Sequence, residues 1–320
     1  MKRSDYLQIL TQRYASPDGI DDYIQRGARN FWNIYEAKNG ITPPNLKNTG
    51  VSFIEDYYTR CFHSAIDSHG ATDQGISYKQ FFTHQYNARL APLLDSELIV
   101  IDASLYSSFV VYFCCIYHLA FSKPSASQRT RIVEIFICEV EFHLACLRGQ
   151  KGAKQFSSEA WIELSSTDKD IMVWTAMSAE CLLLYIILHE LGHIHYGHKE
   201  LGAKDIEESL FKIYNKEHEL EADTFASQHL YKILEKDNIH NLTLDFVHIP
   251  VLFFKVLDLI DIYKCEVLRE SSMVSEYYPT FAEREMALEK WEGISPSLLD
   301  QPSEAINYLK SLIILASQSL

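Results

Sequence analysis

The stretch CLLLYIILHELGH, residues 181 to 193, constrains the fold more than any other part of the chain. Its first eight residues are almost wholly apolar. A helix formed here has no polar face to leave in water, so it must be buried. The run passes without a break into His189-Glu190-Leu191-Gly192-His193. Residues four apart share one face of a helix, so a buried helix would hold both imidazoles towards one cation. Zinc is the chemical preference for such a pair, and Glu190 stands where it can polarise a water.

A catalytic zinc needs a third protein ligand. The extended pattern HExxHxxGxxH would require Gly at 196 and His at 199, where the chain has Tyr196 and Lys199. His195 and His198 fall at the wrong offsets and read as helix-end histidines, favoured by the helix dipole and by hydrogen bonds behind the metal ligands. KEHELEADTFASQHL, residues 216 to 230, offers a separate helix. Glu219 and Asp223 lie four apart on one face, with Ala222 and Ala226 close by to let another helix approach. Glu219 is placed to bind the metal, while Asp223 hydrogen-bonds a ligating histidine and fixes its tautomer. Glu217, His218 and Glu221 compete for ligation, and Glu219 ranks first.

Composition narrows the partners. The net charge is −14 over 320 residues, which disfavours nucleic acid and anionic lipid. Hydrophobic residues make up 47 %, and 19 Tyr with 17 Phe predict an aromatic core. The seven cysteines are odd in number and mostly lie in apolar segments without a CxxC pair, as in a reducing cytoplasm. No apolar stretch follows the basic residues of MKRSDYLQILTQRYASPDG, so no signal peptide is expected. Residues 103 to 121 lack Asp, Glu, Lys and Arg. Their Ser, Tyr and His content favours a buried core helix over a membrane span.

Helical spacing is expected over 20–36, 51–65, 104–121, 128–148, 169–196, 205–235, 244–263, 281–292 and from Pro302 onward. LIVI at 98–101 reads as a strand, and AWIEL at 160–164 as a second. Loops are expected at 38–50 and 271–280. The fold class is therefore mainly α, with a small sheet. Residues 1–160 are expected to form a helical N-terminal region and 161–320 a region that carries the motifs, the two packed as one compact unit.

HELGH followed by ELEADTFA resembles the gluzincin metallopeptidases, whose zincin-like core joins an HExxH helix to a Glu-x-x-x-Asp helix. The second stretch is similar to Glu-x-x-Ala-Asp of HtpX-type peptidases and to Glu-x-Glu-Ala-Asn-x-Phe-Ala of ImmA/IrrE-type peptidases. HtpX-type enzymes also carry His-Pro with Arg five residues after the Pro. YYPTFAER places Tyr278, Pro279 and Arg284 in that register, with Tyr in place of His. The resemblance spans roughly residues 180 to 290. In size and motif layout the chain is also similar to the phage-exclusion peptidase family Lit, which cuts elongation factor Tu.

The resemblance implies a cytoplasmic zinc endopeptidase, with 161–320 as its zincin-like metallopeptidase region. His189, His193 and Glu219 would hold the metal, and Glu190 would act as general base. Tyr278, Tyr277 and Arg284 become candidates for stabilising the oxyanion. It implies one protein or peptide target, elongation factor Tu in the Lit case, a role in phage defence, and a restraining or activating protein partner. The competing reading is a regulatory or interaction protein with a structural or vestigial metal site. A third is a membrane-associated peptidase using residues 103 to 121.

Overall fold

The computed structural model describes residues 2–14, 50–70, 75–81, 83, 86–93, 96–148, 164, 168–200, 211–236, 244–273, 278–289 and 296–318. The fold is mainly helical with one small sheet. Helix α1 (Arg3–Arg13) and α2 (Gly50–His69) precede three strands, β1 (Ile76–Phe81), β2 (Ala88–Leu90) and β3 (Glu97–Asp102). Helices α3 (Leu105–Phe121), α4 (Ala126–Leu147), α5 (Lys169–His195), α6 (Lys216–Lys236), α7 (Ile249–Ile262), α8 (Phe281–Glu289) and α9 (Asp300–Gln318) follow.

β3 is the central strand, parallel to β1 and antiparallel to β2. Its LIVI run shows no polar alternation because both faces are covered. Ile99 and Ile101 enter the main core, while Leu98 and Val100 join a smaller cluster with Tyr6, Leu10 and Phe211. Asp102 fixes the approach to β2: its carboxylate accepts from the N–H of Tyr86 at 3.0 Å and of Ser104 at 2.9 Å. That anchoring matters because β2 borders the candidate site.

α5 runs through the centre and packs against α2, α3, α6, α7 and β2. Asp168 caps its start, accepting from the N–H groups of Asp170 and Ile171. The burial of its second half follows from composition, since residues 181–188 offer no polar face. By length and composition α5 is apolar enough to cross a membrane, and 83 % of that window is buried inside the fold, as befits a core helix. α3, the segment singled out for a membrane check, is a 17-residue helix buried over most of its length. The largest fully buried side chains are mostly aromatic, among them Tyr58, Tyr112, Tyr185, Phe109 and Phe254. The main cluster draws on residues from Tyr58 to Ile313. The six described cysteine side chains are free.

Several boundaries differ from the sequence reading. The helix expected from 205 begins at Lys216, because Phe211, Ile213 and Tyr214 are buried in an extended stretch that is tied to β2 by the Lys212 N–H to Leu90 O bond of 2.9 Å. The helix expected from 244 divides into a 3-10 turn at Leu244–Phe246 and α7, with Pro250 in the first turn of α7 where its missing N–H costs nothing. α7 then runs into a π-helical turn, Tyr263–Val267. β1, β2 and α1 carry no strong periodic signal and were not anticipated. The expected helix at 20–36, nearly all of the loop at 38–50 and most of AWIEL lie outside the described residues.

Candidate metal centre

His189 and His193 occupy one face of α5 and meet Glu219 of α6. All three are buried, and one ligand atom from each lies within 4.8 Å of the others. The separations are 3.2 Å for His189 Nε2 to His193 Nε2, 3.3 Å for His189 Nε2 to Glu219 Oε2, and 3.6 Å for His193 Nε2 to Glu219 Oε1. Donors held roughly 2.0–2.1 Å from a tetrahedral zinc would lie about 3.3–3.4 Å apart. The group therefore fits a metal ion in both spacing and donor type.

Each imidazole is turned by a separate support. His189 donates its Nδ1–H to Asp223 Oδ1 at 2.9 Å, which turns Nε2 towards its neighbours. Asp223 is fully buried and also accepts from Tyr185 Oη at 2.7 Å and Arg284 Nε at 2.7 Å. Burial alone would raise Asp223, but the Arg284 charge and the bonds from His189 and Arg284 outweigh it and hold it well below the ordinary carboxylate range. Arg284 also lies 3.6 Å from Glu219 Oε2 and rests over the Phe254 ring.

His193 depends on the end of its own helix. Gly197 has φ of 60°, the left-handed conformation that glycine adopts without strain. Around it the N–H of His198 bonds His193 O and the N–H of Gly197 bonds Ile194 O, both at 3.1 Å, a Schellman ending. The chain reverses there and lays His198 against His193, Nδ1 to Nδ1 at 2.9 Å. His198 Nε2 then donates to Glu221 Oε2 at 2.9 Å. A carboxylate only accepts, so His198 Nδ1 is the acceptor and His193 Nδ1 carries the proton. His193 Nε2 is thereby left as a lone pair. Tyr214 stacks on the other side of His193, with ring centroids 3.9 Å apart.

The titration of the pair follows from these bonds. Burial disfavours the His189 imidazolium, yet the bonds to Asp223 and Glu219 prevail and raise it to about 9. Burial and the His189 charge hold His193 far below its usual value. Glu190 lines a cavity of about 560 Å³ above the donors. It makes no hydrogen bond or ion pair with the described residues. Burial, reinforced by Glu219, pushes it up to about 8, while His189, Arg89 and Arg284 pull the other way. Such a carboxylate is suited to taking a proton.

The rival ligands are engaged elsewhere. Glu221 holds His198, His218 stacks on His198 at 4.2 Å, and Glu217 is exposed. His195 turns away to His69, 3.2 Å between ring nitrogens. Tyr278 lines the cavity half-buried, and burial pushes its phenol up to about 12. Arg284 reaches the centre through Asp223 and Glu219. Tyr277 lies outside the described residues. Sequence reasoning did not single out Tyr185 or Tyr214; the bonds it expected from the helix-end histidines are made by His198, which bonds His193, while the onward link to Glu221 was not foreseen. The signals were there: Tyr185 is four residues before His189, and Gly197 directly precedes His198. Compared with protein-family models, curated proteins and solved structures, the chain matches none.

Proposed function

We propose that this chain is a zinc-dependent peptidase of gluzincin type with a zincin-like core. The observation that carries the reading is the buried His189-His193-Glu219 set at tetrahedral spacing, open to a cavity that also holds the Glu190 carboxylate, which has no partner among the described residues. A structural zinc is normally closed by four protein ligands, whereas three ligands beside a cavity favour catalysis over a structural or vestigial site.

Zinc held there would supply Lewis acidity towards water and towards a peptide carbonyl. The chain's residues do the rest. Glu190 takes a proton from the attacking water and delivers it to the nitrogen of the departing amine. Tyr278 Oη is assigned to the negative charge that develops on the carbonyl oxygen. Arg284 holds Asp223, and through it His189, in register. In this reading its part is positioning, where the family register had offered it for the oxyanion. The finer reading is a cytoplasmic endopeptidase with a single protein target such as elongation factor Tu, restrained by a partner and serving phage defence. The target and the defence role rest on the resemblance to the Lit family alone, and the cytoplasmic setting also on the cysteine pattern.

The test is elemental analysis with a peptidase assay on a mixed peptide library. Wild type should bind about one zinc per chain and cleave. Glu219→Ala should lose zinc, and Glu190→Gln should keep it while turnover falls by at least ~100-fold. Normal cleavage by Glu190→Gln would remove the general base, and no zinc uptake by wild type would remove the reading.

A further inference from the structure

The cavity above the metal centre is cationic, although the chain carries a net charge of −14. Among the described residues five cations line it, Arg89, Arg148, Lys212, Lys264 and Arg284, against the carboxylates of Glu190, Glu219 and Glu270. Three of the five are already neutralised. Lys212 pairs with Glu97 at 2.9 Å, Arg148 with Glu270, and Arg284 with Asp223 and Glu219. Arg89 and Lys264 are half-buried and form no ion pair among the described residues.

Both stand on firm supports. Arg89 is the middle residue of β2. Its backbone neighbours are bound on both sides: Asn87 O and Ala91 N–H to β3, and Leu90 O to the Lys212 N–H. Its guanidinium rests over the Phe211 ring at 5.3 Å, and its charge reaches both Glu190 and Tyr278. Lys264 belongs to the π-helical turn, a form that is rare and concentrated at functional sites. The preceding residue anchors that turn, with Tyr263 Oη donating to Glu141 at 2.6 Å. A guanidinium drawn partly out of water with no counter-ion among the described residues leaves room for an acceptor that a ligand can bring.

We propose that the site selects carboxylate-bearing peptides, with Arg89 binding the carboxylate nearest the reacting bond and Lys264 a second negative group. The carboxylate is supplied by an Asp or Glu side chain or by the peptide's own C-terminus. The inference rests on the peptidase reading for its ligand being a peptide, but binding can be measured without turnover.

The experiment uses zinc-loaded full-length Glu190→Gln protein and hexapeptide pools matched in all but one respect. The first pair exchanges Glu for Gln, and the second exchanges a free C-terminus for an amide. Retention is read by mass spectrometry at low and moderate salt. Acidic pools should be retained roughly 10- to 100-fold better than neutral ones, and added Arg89→Gln should abolish the preference. Arg89→Lys should restore part of it, which a loss of folding would not allow. Lys264→Gln with Arg89 intact should lower the preference without abolishing it. Selectivity for the Glu pool assigns a side-chain carboxylate, and selectivity for the free-acid pool assigns a terminal one. Equal retention of all pools, or a preference that survives Arg89→Gln, overturns the inference. Cleavage of the same pools by the chain with Glu190 intact is scored separately. Acid-selective binding with no cleavage would sink the peptidase reading alone, whereas equal cleavage of neutral and acidic pools would sink the selectivity alone.

Discussion

The two histidines of the centre are held by different chemistry. His189 leans on a buried carboxylate that is itself bound by Tyr185 and Arg284. His193 leans on a neutral imidazole, and only through it on Glu221, whose side chain is half exposed. Outer partners of a ligating histidine typically contribute 10- to 100-fold in metal affinity. His198→Ala should therefore weaken zinc binding roughly 10- to 100-fold, read by competition with a chromophoric chelator, while the helical circular dichroism stays unchanged. Glu221→Gln should cost less, because the amide oxygen still accepts from Nε2. Wild-type affinity in His198→Ala would mean that this bond does not orient His193.

At the scale of elements the centre is a contact between α5 and α6, and Gly192 sets its closeness. A Cβ at 192 would lie 3.1 Å from Ala222 Cα, 3.3 Å from Ala222 O and 3.2 Å from a Phe225 ring carbon. Backbone cannot yield as a side chain can, so Gly192→Ala should push α6 away from α5. The expected cost is about 1–3 kcal/mol of stability, with a loss of zinc affinity because Glu219 moves with α6. Denaturant unfolding and a zinc titration check the two effects together. The start of α7 offers a pH test remote from the metal. His248 is buried, and desolvation depresses it to about 4 against an unfolded value of 6.5. Between those values the unfolded chain binds a proton that the folded one refuses, so stability is full above about pH 6.5 and falls as pH drops towards 4. The loss is on the order of 2–3 kcal/mol, and His248→Gln should flatten that part of the melting-temperature profile. These elements also show what could be read from the sequence. α5 was legible because burial and motif coincide in one run, and Glu219 with Asp223 because four-residue spacing survives any tertiary arrangement. β2 was not legible: three residues carry no period, and its place follows from Asp102 and Lys212, which are remote from it in sequence or bound through backbone. That a helix-end histidine would bond behind the ligands was legible, but which one and how was not, since an offset counted along a straight helix fails where Gly197 reverses the chain.

For the molecule as a whole, the metal would act as a clamp between core elements. α5 supplies two donors and much of the main hydrophobic cluster, α6 supplies the third, and α8 reaches both α6 ligand-side carboxylates through Arg284. Without a cation, the buried Glu219 and Asp223 are balanced by Arg284 and by the proton on His189. A divalent ion displaces that proton and ties α5 to α6 directly. Binding to the folded state alone stabilises by RT ln(1 + [L]/Kd), about 2.7 kcal/mol at free zinc one hundred times Kd. Zinc should therefore raise the melting temperature in a concentration-dependent way, and a chelator should reverse it. Glu219→Ala should lose this increment, whereas Glu190→Gln should keep it, because Glu190 faces the cavity and ligates nothing. The pairing separates clamp from catalyst without a substrate. An increment that survives Glu219→Ala would place the third ligand elsewhere, and one lost in Glu190→Gln would make Glu190 a ligand and remove it as the proposed general base.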